Sequence, residues 1–170
     1  MASPIPDLWP EQIAETTEVS PVSILNGQAA LLGEKTQGFV EGEVTYAKIP
    51  PMSPLSRDDS WGYLSAIGEL HEIPKAIALK EPTLVYSFYV KAPALDNYRF
   101  LLLTVLHGHK YYPSVLSYMI TNESVRADSK DDFLHWLGEF LSRQETVSLI
   151  QSLREQARTT KKAHESQDRG

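Results

Sequence analysis

The stretch Thr83–Thr121, TLVYSFYVKAPALDNYRFLLLTVLHGHKYYPSVLSYMIT, decides the fold. It is the densest apolar and aromatic run in the chain, and only turn-forming residues interrupt it. β-Branched and aromatic residues at period two, bounded by Pro, Asp, Asn and Gly, predict strands. The stretch therefore reads as three consecutive antiparallel strands. A two-residue hairpin turn at Asp96-Asn97 sets Leu95 opposite Tyr98, Val90 opposite Leu103, Phe88 opposite Val105 and Tyr86 opposite His107. Leu84, Tyr86, Phe88, Val90, Leu101, Leu103 and Val105 then share one strongly apolar face, the expected core. The second face collects Val85, Ser87, Tyr89, Lys91, Phe100, Leu102, Thr104 and Leu106, too apolar for a merely solvated surface. Pro93 lacks an amide donor and marks a bulge or the end of regular pairing. The third strand runs from about Pro113 to Thr121.

Upstream, Val40, Val44 and Tyr46 alternate with Glu41, Glu43 and Thr45, so Gly38–Ile49 predicts a strand with one wet face. Gly42 within it suggests a bulge or a close backbone approach. Before that strand, Ser20-Pro21 pairs an N-cap with a proline at the first helical position. The helix it starts carries Val22, Leu25, Ala29 and Leu32 on one face and stops near Gly33. At the other end, Ser129 with Asp132 and Ser142 with Glu145 predict two helix starts. Phe133, Trp136, Leu137, Phe140 and Leu141 mark the first of these helices. Val147, Ile150, Leu153 and Ala157 mark the second. The expected fold is α+β: a meander of about four antiparallel strands in the order 40s, 80s, 100s, 110s. An N-terminal helix and a C-terminal helix pair cover one face.

Residues 1–19, with a lone Trp9 and several prolines, read as a flexible arm, and residues 159–170 as a disordered tail without core formers. Residues 20–158 form the single domain. Within it, residues 50–82 are irregular, although so long a plain loop is uncommon in a compact domain. That segment is expected over the second sheet face or along an edge, with Trp61 and Tyr63 docking it.

Composition narrows the function. The chain has 170 residues, no cysteine and a formal net charge of −6. Disulfides, thiolate metal sites and cysteine nucleophiles are excluded. Up to Arg158 there are 13 basic against 20 acidic residues, and the basic ones are scattered. Such a surface repels phosphate backbones and favours a basic protein partner, so nucleic acid is not expected. No apolar run approaches the ~20 residues of a membrane span, and the opening MASPIPDLWPEQ has neither the basic nor the apolar region of a signal peptide. A cytoplasmic protein is expected.

Catalytic motifs are sparse. The chain contains no phosphate-binding glycine loop and no G-x-S-x-G elbow, and Ser87, Ser114 and Ser117 fall on predicted strands. Glu69, His71 and Glu72 lie close together, but Pro74 disrupts any helix that would align them. His107-Gly108-His109 is the only paired histidine, and on an extended strand both rings point the same way. His107 and His109, with His71 as a distant third, therefore form the candidate ligand or metal site, with Tyr86 beside it. The loop around Lys110, Tyr111 and Tyr112 suits recognition, because exposed tyrosines offer rigid contact area with a polar tip. These three residues, with Tyr89, Phe100 and Leu102 on the second face and Trp61 and Tyr63 in the middle segment, are the candidate partner-binding set. The reading that follows is a non-enzymatic interaction module for a protein partner or a second copy, with no cofactor implied. The alternative is a small-ligand binder or metal-dependent enzyme centred on His107 and His109.

Overall fold

The computed structural model describes residues 18–49 and 83–167. The expected arm at 1–19 lies almost wholly outside these residues, and Trp61, Tyr63, His71 and the rest of 50–82 lie outside them as well. In chain order the described elements are α1 (Pro21–Lys35), β1 (Glu41–Ile49), β2 (Thr83–Ala92), β3 (Tyr98–His107), β4 (Ser114–Tyr118), β5 (Glu123–Ala127), α2 (Lys130–Ser142) and α3 (Gln144–Gln167). The strands form one antiparallel meander in the order β1-β2-β3-β4-β5. The α+β class and the packing of an N-terminal helix and a C-terminal helix pair on the sheet are as expected. The sheet has five strands instead of about four. The fifth, ESVRA, follows a turn in which Asn122 adopts a positive φ of 55°. Asparagine visits that region more readily than most residues.

The β2–β3 connection corrects the expected register. Asp96 and Asn97 do form the tight turn, at φ 52° and 57°, and the Tyr98 N–H donates to the Leu95 carbonyl at 2.9 Å. The strands do not pair at once, however. A second turn precedes the first, closed by Leu95 N–H to the Ala92 carbonyl at 3.0 Å, so Tyr98 pairs with Ala92. Pro93 sits where regular pairing ends. Further along, Tyr89 pairs with Leu101 while Phe88 pairs with Leu103, leaving Leu102 as the extra residue of a β-bulge. Its carbonyl accepts the Met119 N–H at 3.0 Å.

The bulge changes which side chains share a face. Phe100 now pairs with Val90 and packs against the helix-covered core, and Leu102 is fully buried in that core beside Leu103. Both residues were expected on the second face. Leu101, expected in the core, is paired with Tyr89 on the opposite side. One extra residue inverts the period-two alternation beyond it.

α1 begins as the sequence predicts, with Ser20 Oγ accepting from the Ser23 N–H at 3.2 Å and Pro21 in the first turn. It runs past Gly33 to Lys35, and Thr36 closes it. The buried Thr36 hydroxyl donates to the Leu32 carbonyl at 2.9 Å and accepts from the Val40 N–H at 3.2 Å, tying the helix end to the start of β1. The close approach expected at Gly42 is real: a Cβ there would stand 2.5 Å from Ala29 Cα and 2.6 Å from Ala29 Cβ.

α2 starts at Ser129, whose Oγ accepts from the Asp132 N–H at 3.1 Å, and buries Phe133, Leu137 and Phe140. The corner after it differs from the expected capping box. Ser142 bonds backward, donating to the Gly138 carbonyl at 2.7 Å, and the helix breaks at Arg143 (φ −59°, ψ 146°). Three contacts hold this corner to β4 and β5. The Tyr118 ring stacks on Phe140 with centroids 5.0 Å apart, and Tyr118 O–H donates to Thr146 Oγ1 at 2.7 Å. Thr146 in turn donates to the Phe140 carbonyl at 2.8 Å. Arg143 lies over both rings and meets Glu123 at 2.6 Å, which holds the Glu123 carboxyl below its usual range mainly through that hydrogen bond. α3 then continues to Gln167, nine residues past Arg158, correcting the expected disordered tail over that range. Thr146, Leu153 and Ala157 are its buried positions.

Two outcomes follow from this packing. Gly42→Ala places a methyl against helix backbone and is expected to lower stability by about 1–3 kcal/mol. Ala29→Gly should fail to rescue it, since Ala29 Cα itself blocks the space. Thr146→Val strands the buried Tyr118 hydroxyl and should cost about 1–3 kcal/mol, while Thr146→Ser retains most of the stability. Chemical denaturation of the four variants reads out both.

Candidate functional site

The strand register assembles a site at the end of the sheet farthest from Gly42. On the helix-side face, Tyr46 pairs with Tyr86 and Tyr86 with Val105. In the next row Lys48, Leu84, His107, Ser114 and Ala127 are paired neighbours across all five strands. α1 meets β1 at Gly42, four residues before Tyr46, and Tyr46 remains 75% exposed. Tyr46 and Tyr86 lie with ring centroids 6.5 Å apart at a tilt of 44°. Tyr86 stacks on the His107 imidazole at 5.4 Å, and Tyr111 meets the same imidazole edge-on at 5.9 Å. Tyr86 from β2 and Tyr111 from the loop thus converge on one histidine, with Tyr46 beside Tyr86. Burial raises the Tyr86 phenol above its ordinary pKa, and the neighbouring Tyr111 and Tyr46 phenols add to the rise.

His107 is buried, at 3% exposure, as the last residue of β3. Its Nδ1 lies 2.8 Å from the Gly108 carbonyl oxygen. A carbonyl only accepts, so Nδ1 carries a proton, and in that neutral tautomer Nε2 would present a lone pair. Nε2 is buried and has no hydrogen-bond partner among the described residues. The Oγ of Ser114, the cross-strand neighbour of His107, is buried and unpartnered as well.

The structure brings Tyr86, His107 and Tyr111 together, as the ligand-site reading required of the first two. It does not align His107 with His109. β3 ends at His107, so the alternation that would turn both rings the same way stops there, and His109 is exposed. Among the described residues no three His, Cys, Asp or Glu side chains are grouped to hold a metal ion. Lys110 is exposed beside Tyr111. Tyr112 turns inward, packs edge-on against Phe133 at 6.2 Å and directs its hydroxyl to the Val19 carbonyl at 3.4 Å. Burial, followed by the nearby Glu18 carboxylate, raises its pKa.

The second face carries its own order. Thr45, Ser87, Thr104, Ser117 and Ser124 are paired neighbours in a hydroxyl row that crosses every strand. Beside it run Ala47, Val85, Leu106, Val115 and Arg126. Val85 and Leu106 are 1% exposed and Thr104 is fully buried, so the middle of this face is not an open surface. At its other end Glu43 binds both Lys91 (3.4 Å) and Arg99 (3.5 Å), and the Arg99 guanidinium lies 3.5 Å from the Tyr89 ring centroid. Tyr89 is held by that stack and largely buried.

No protein-family model, curated protein or solved structure matches this chain. Two residues central to the site, Tyr46 and Ser114, were not singled out from sequence. Tyr46 reads there as an ordinary inward strand residue, and only the limit of the helix cover leaves it exposed. Ser114 is one hydroxyl among many until the register sets it opposite His107.

The raised phenols give a direct check. Because the folded state holds the Tyr86 proton more tightly than the unfolded chain, the associated stability is full below the ordinary tyrosine pKa of about 10. It is lost as pH rises through the raised value. A phenolate absorbance titration of the folded protein should place Tyr86 and Tyr112 among the late-ionising tyrosines. Tyr86→Phe should remove one, and Tyr46→Phe should lower the midpoint of the Tyr86 component. An unchanged profile in Tyr86→Phe contradicts the assignment.

Proposed function

We propose that this protein is a non-enzymatic interaction module that binds a protein partner through the tyrosine end of its sheet. The observation that carries this reading is Tyr46, three-quarters exposed on the sheet face where the helices pack, and set in a row with Tyr86 and Tyr111. Tyrosine loses little conformational freedom on binding, and large aromatic side chains dominate the energetics of protein interfaces. The Tyr86 stack on a buried imidazole holds the platform in place before a partner arrives. Lys110, exposed next to Tyr111, lies at the rim of the same surface.

Contact is assigned to this end of the sheet instead of the second face because the middle of the second face is buried. The net charge of −6 favours a partner with a basic surface during encounter, while the tyrosines supply contact area. No helix among the described residues is long and apolar enough to cross a membrane. The reading places the module in the cytosol.

The test compares the full chain with Tyr46→Ala and with Tyr98→Ala, a second exposed tyrosine located at the β2–β3 turn. Affinity capture from the native host, followed by binding measurements on the purified partner, should give wild-type affinity for Tyr98→Ala. Tyr46→Ala should weaken binding on the order of tenfold or more, as expected for a hot-spot aromatic. A second copy of the chain counts as the partner if light scattering shows a dimer that Tyr46→Ala dissociates. Equal binding by the two variants, with circular dichroism unchanged, would remove the tyrosine end from the interface.

A further inference from the structure

We infer that His107 and Ser114 form a buried site for one hydroxyl group, supplied by a trapped water or by a small alcohol. Two polar atoms at directly paired positions of adjacent strands, His107 Nε2 and Ser114 Oγ, are both buried and both lack a hydrogen-bond partner among the described residues. Their residues are 3% and 1% exposed. Leaving one such group unsatisfied is costly, and leaving two side by side is rarer still in a folded protein.

The chemistry of the two atoms selects the guest. Nδ1 is committed as a donor to the Gly108 carbonyl, so in the tautomer protonated there alone Nε2 needs a donor. The Ser114 hydroxyl needs an acceptor for its proton. A hydroxyl meets both demands at once: its O–H donates to Nε2, and its lone pair accepts from Ser114. A divalent metal ion is a poor match, because one imidazole and one serine hydroxyl leave its coordination unfilled and no group of three His, Cys, Asp or Glu side chains forms among the described residues. A carboxylate would require the ring to take up a second proton. The face of Tyr86 and the edge of Tyr111 bound the imidazole, and the guest therefore sits directly beneath the tyrosines described above. The third unpartnered atom, Thr104 Oγ1, belongs to the hydroxyl row of the opposite face and takes no part.

This inference is independent of the protein-binding reading. Loss of a partner in Tyr46→Ala bears on the platform, whereas the experiment below reads the imidazole itself. Nitrogen NMR of the full chain, labelled at histidine, should find His107 with its proton on Nδ1 and Nε2 accepting a hydrogen bond. Ser114→Ala should shift the Nε2 resonance toward that of a free lone pair, while Ser117→Ala, on the opposite face, leaves it in place. A high-resolution crystal structure of the free protein should show one water oxygen within hydrogen-bond reach of both atoms. Methanol is the probe for the organic source. A saturable shift of the His107 Nε2 signal, weakened on the order of tenfold by Ser114→Ala, assigns the site to small alcohols. A bound water that methanol does not displace assigns it to solvent. A proton on Nε2 with Nδ1 bare overturns the inference, and so does an Nε2 resonance that Ser114→Ala leaves unmoved.

Discussion

The extra residue in β3 opposite the Phe88–Tyr89 step governs how this molecule is layered. A sheet strand offers alternate side chains to its two faces, so a long apolar run such as Phe100–Val105 would divide evenly between them. Inserting Leu102 as a bulge instead sends Phe100, Leu102, Leu103 and Val105 all toward the helices. That concentration gives α1, α2 and α3 one continuous apolar surface to cover. It also leaves Phe88 to Leu84 in a register that sets His107 against Leu84, while β4 pairs Ser114 with His107 on the other side.

The cover is positioned by two polar and steric devices at opposite ends. At β1, the missing side chain of Gly42 lets the α1 backbone descend to Ala29 Cα, closer than any side chain would permit. At β4, the Tyr118–Thr146–Phe140 hydrogen-bond chain anchors the α2–α3 corner inside the core, with Arg143 closing it from outside against Glu123. α1 is thereby committed to the Gly42 end of β1. Tyr46, near the other end of the same strand, stands clear of it. The exposed tyrosine platform is thus a consequence of where the helix must sit, and the same geometry places a histidine with an unsatisfied nitrogen beneath it.

Much of the architecture is legible in local chemistry. Ser20-Pro21 and Ser129-x-x-Asp132 start helices because they satisfy orphan amides, whatever surrounds them. Asp96-Asn97 turns the chain because both residues tolerate positive φ. Gly42 as a close approach and Pro93 as the end of pairing are read from what those residues lack. The errors have a common origin in pairing. The Ala92–Leu95 turn and the Leu102 bulge are set by how two strands fit each other, and no residue type in either strand demands them. β5 is not legible in the sequence because five residues of weak alternation gain strand character only from the neighbour they join. Ser142 caps nothing because it is still inside α2, bonded back to Gly138, and the helix breaks one residue later at Arg143.

Local chemistry along the chain sets the class of the protein: a cysteine-free, acidic chain with an α+β fold, a meander at its centre and helices at its ends. Those features follow from periodicity, capping and turn chemistry, which act over a few residues. Long-range packing settles which face each residue of β3 serves, why Tyr46 is exposed, and which serine stands opposite His107. These depend on register and on the reach of the helices, and both are settled by contacts between residues tens of positions apart. The Thr83–Thr121 run therefore names the strands, and their pairing with one another makes the site.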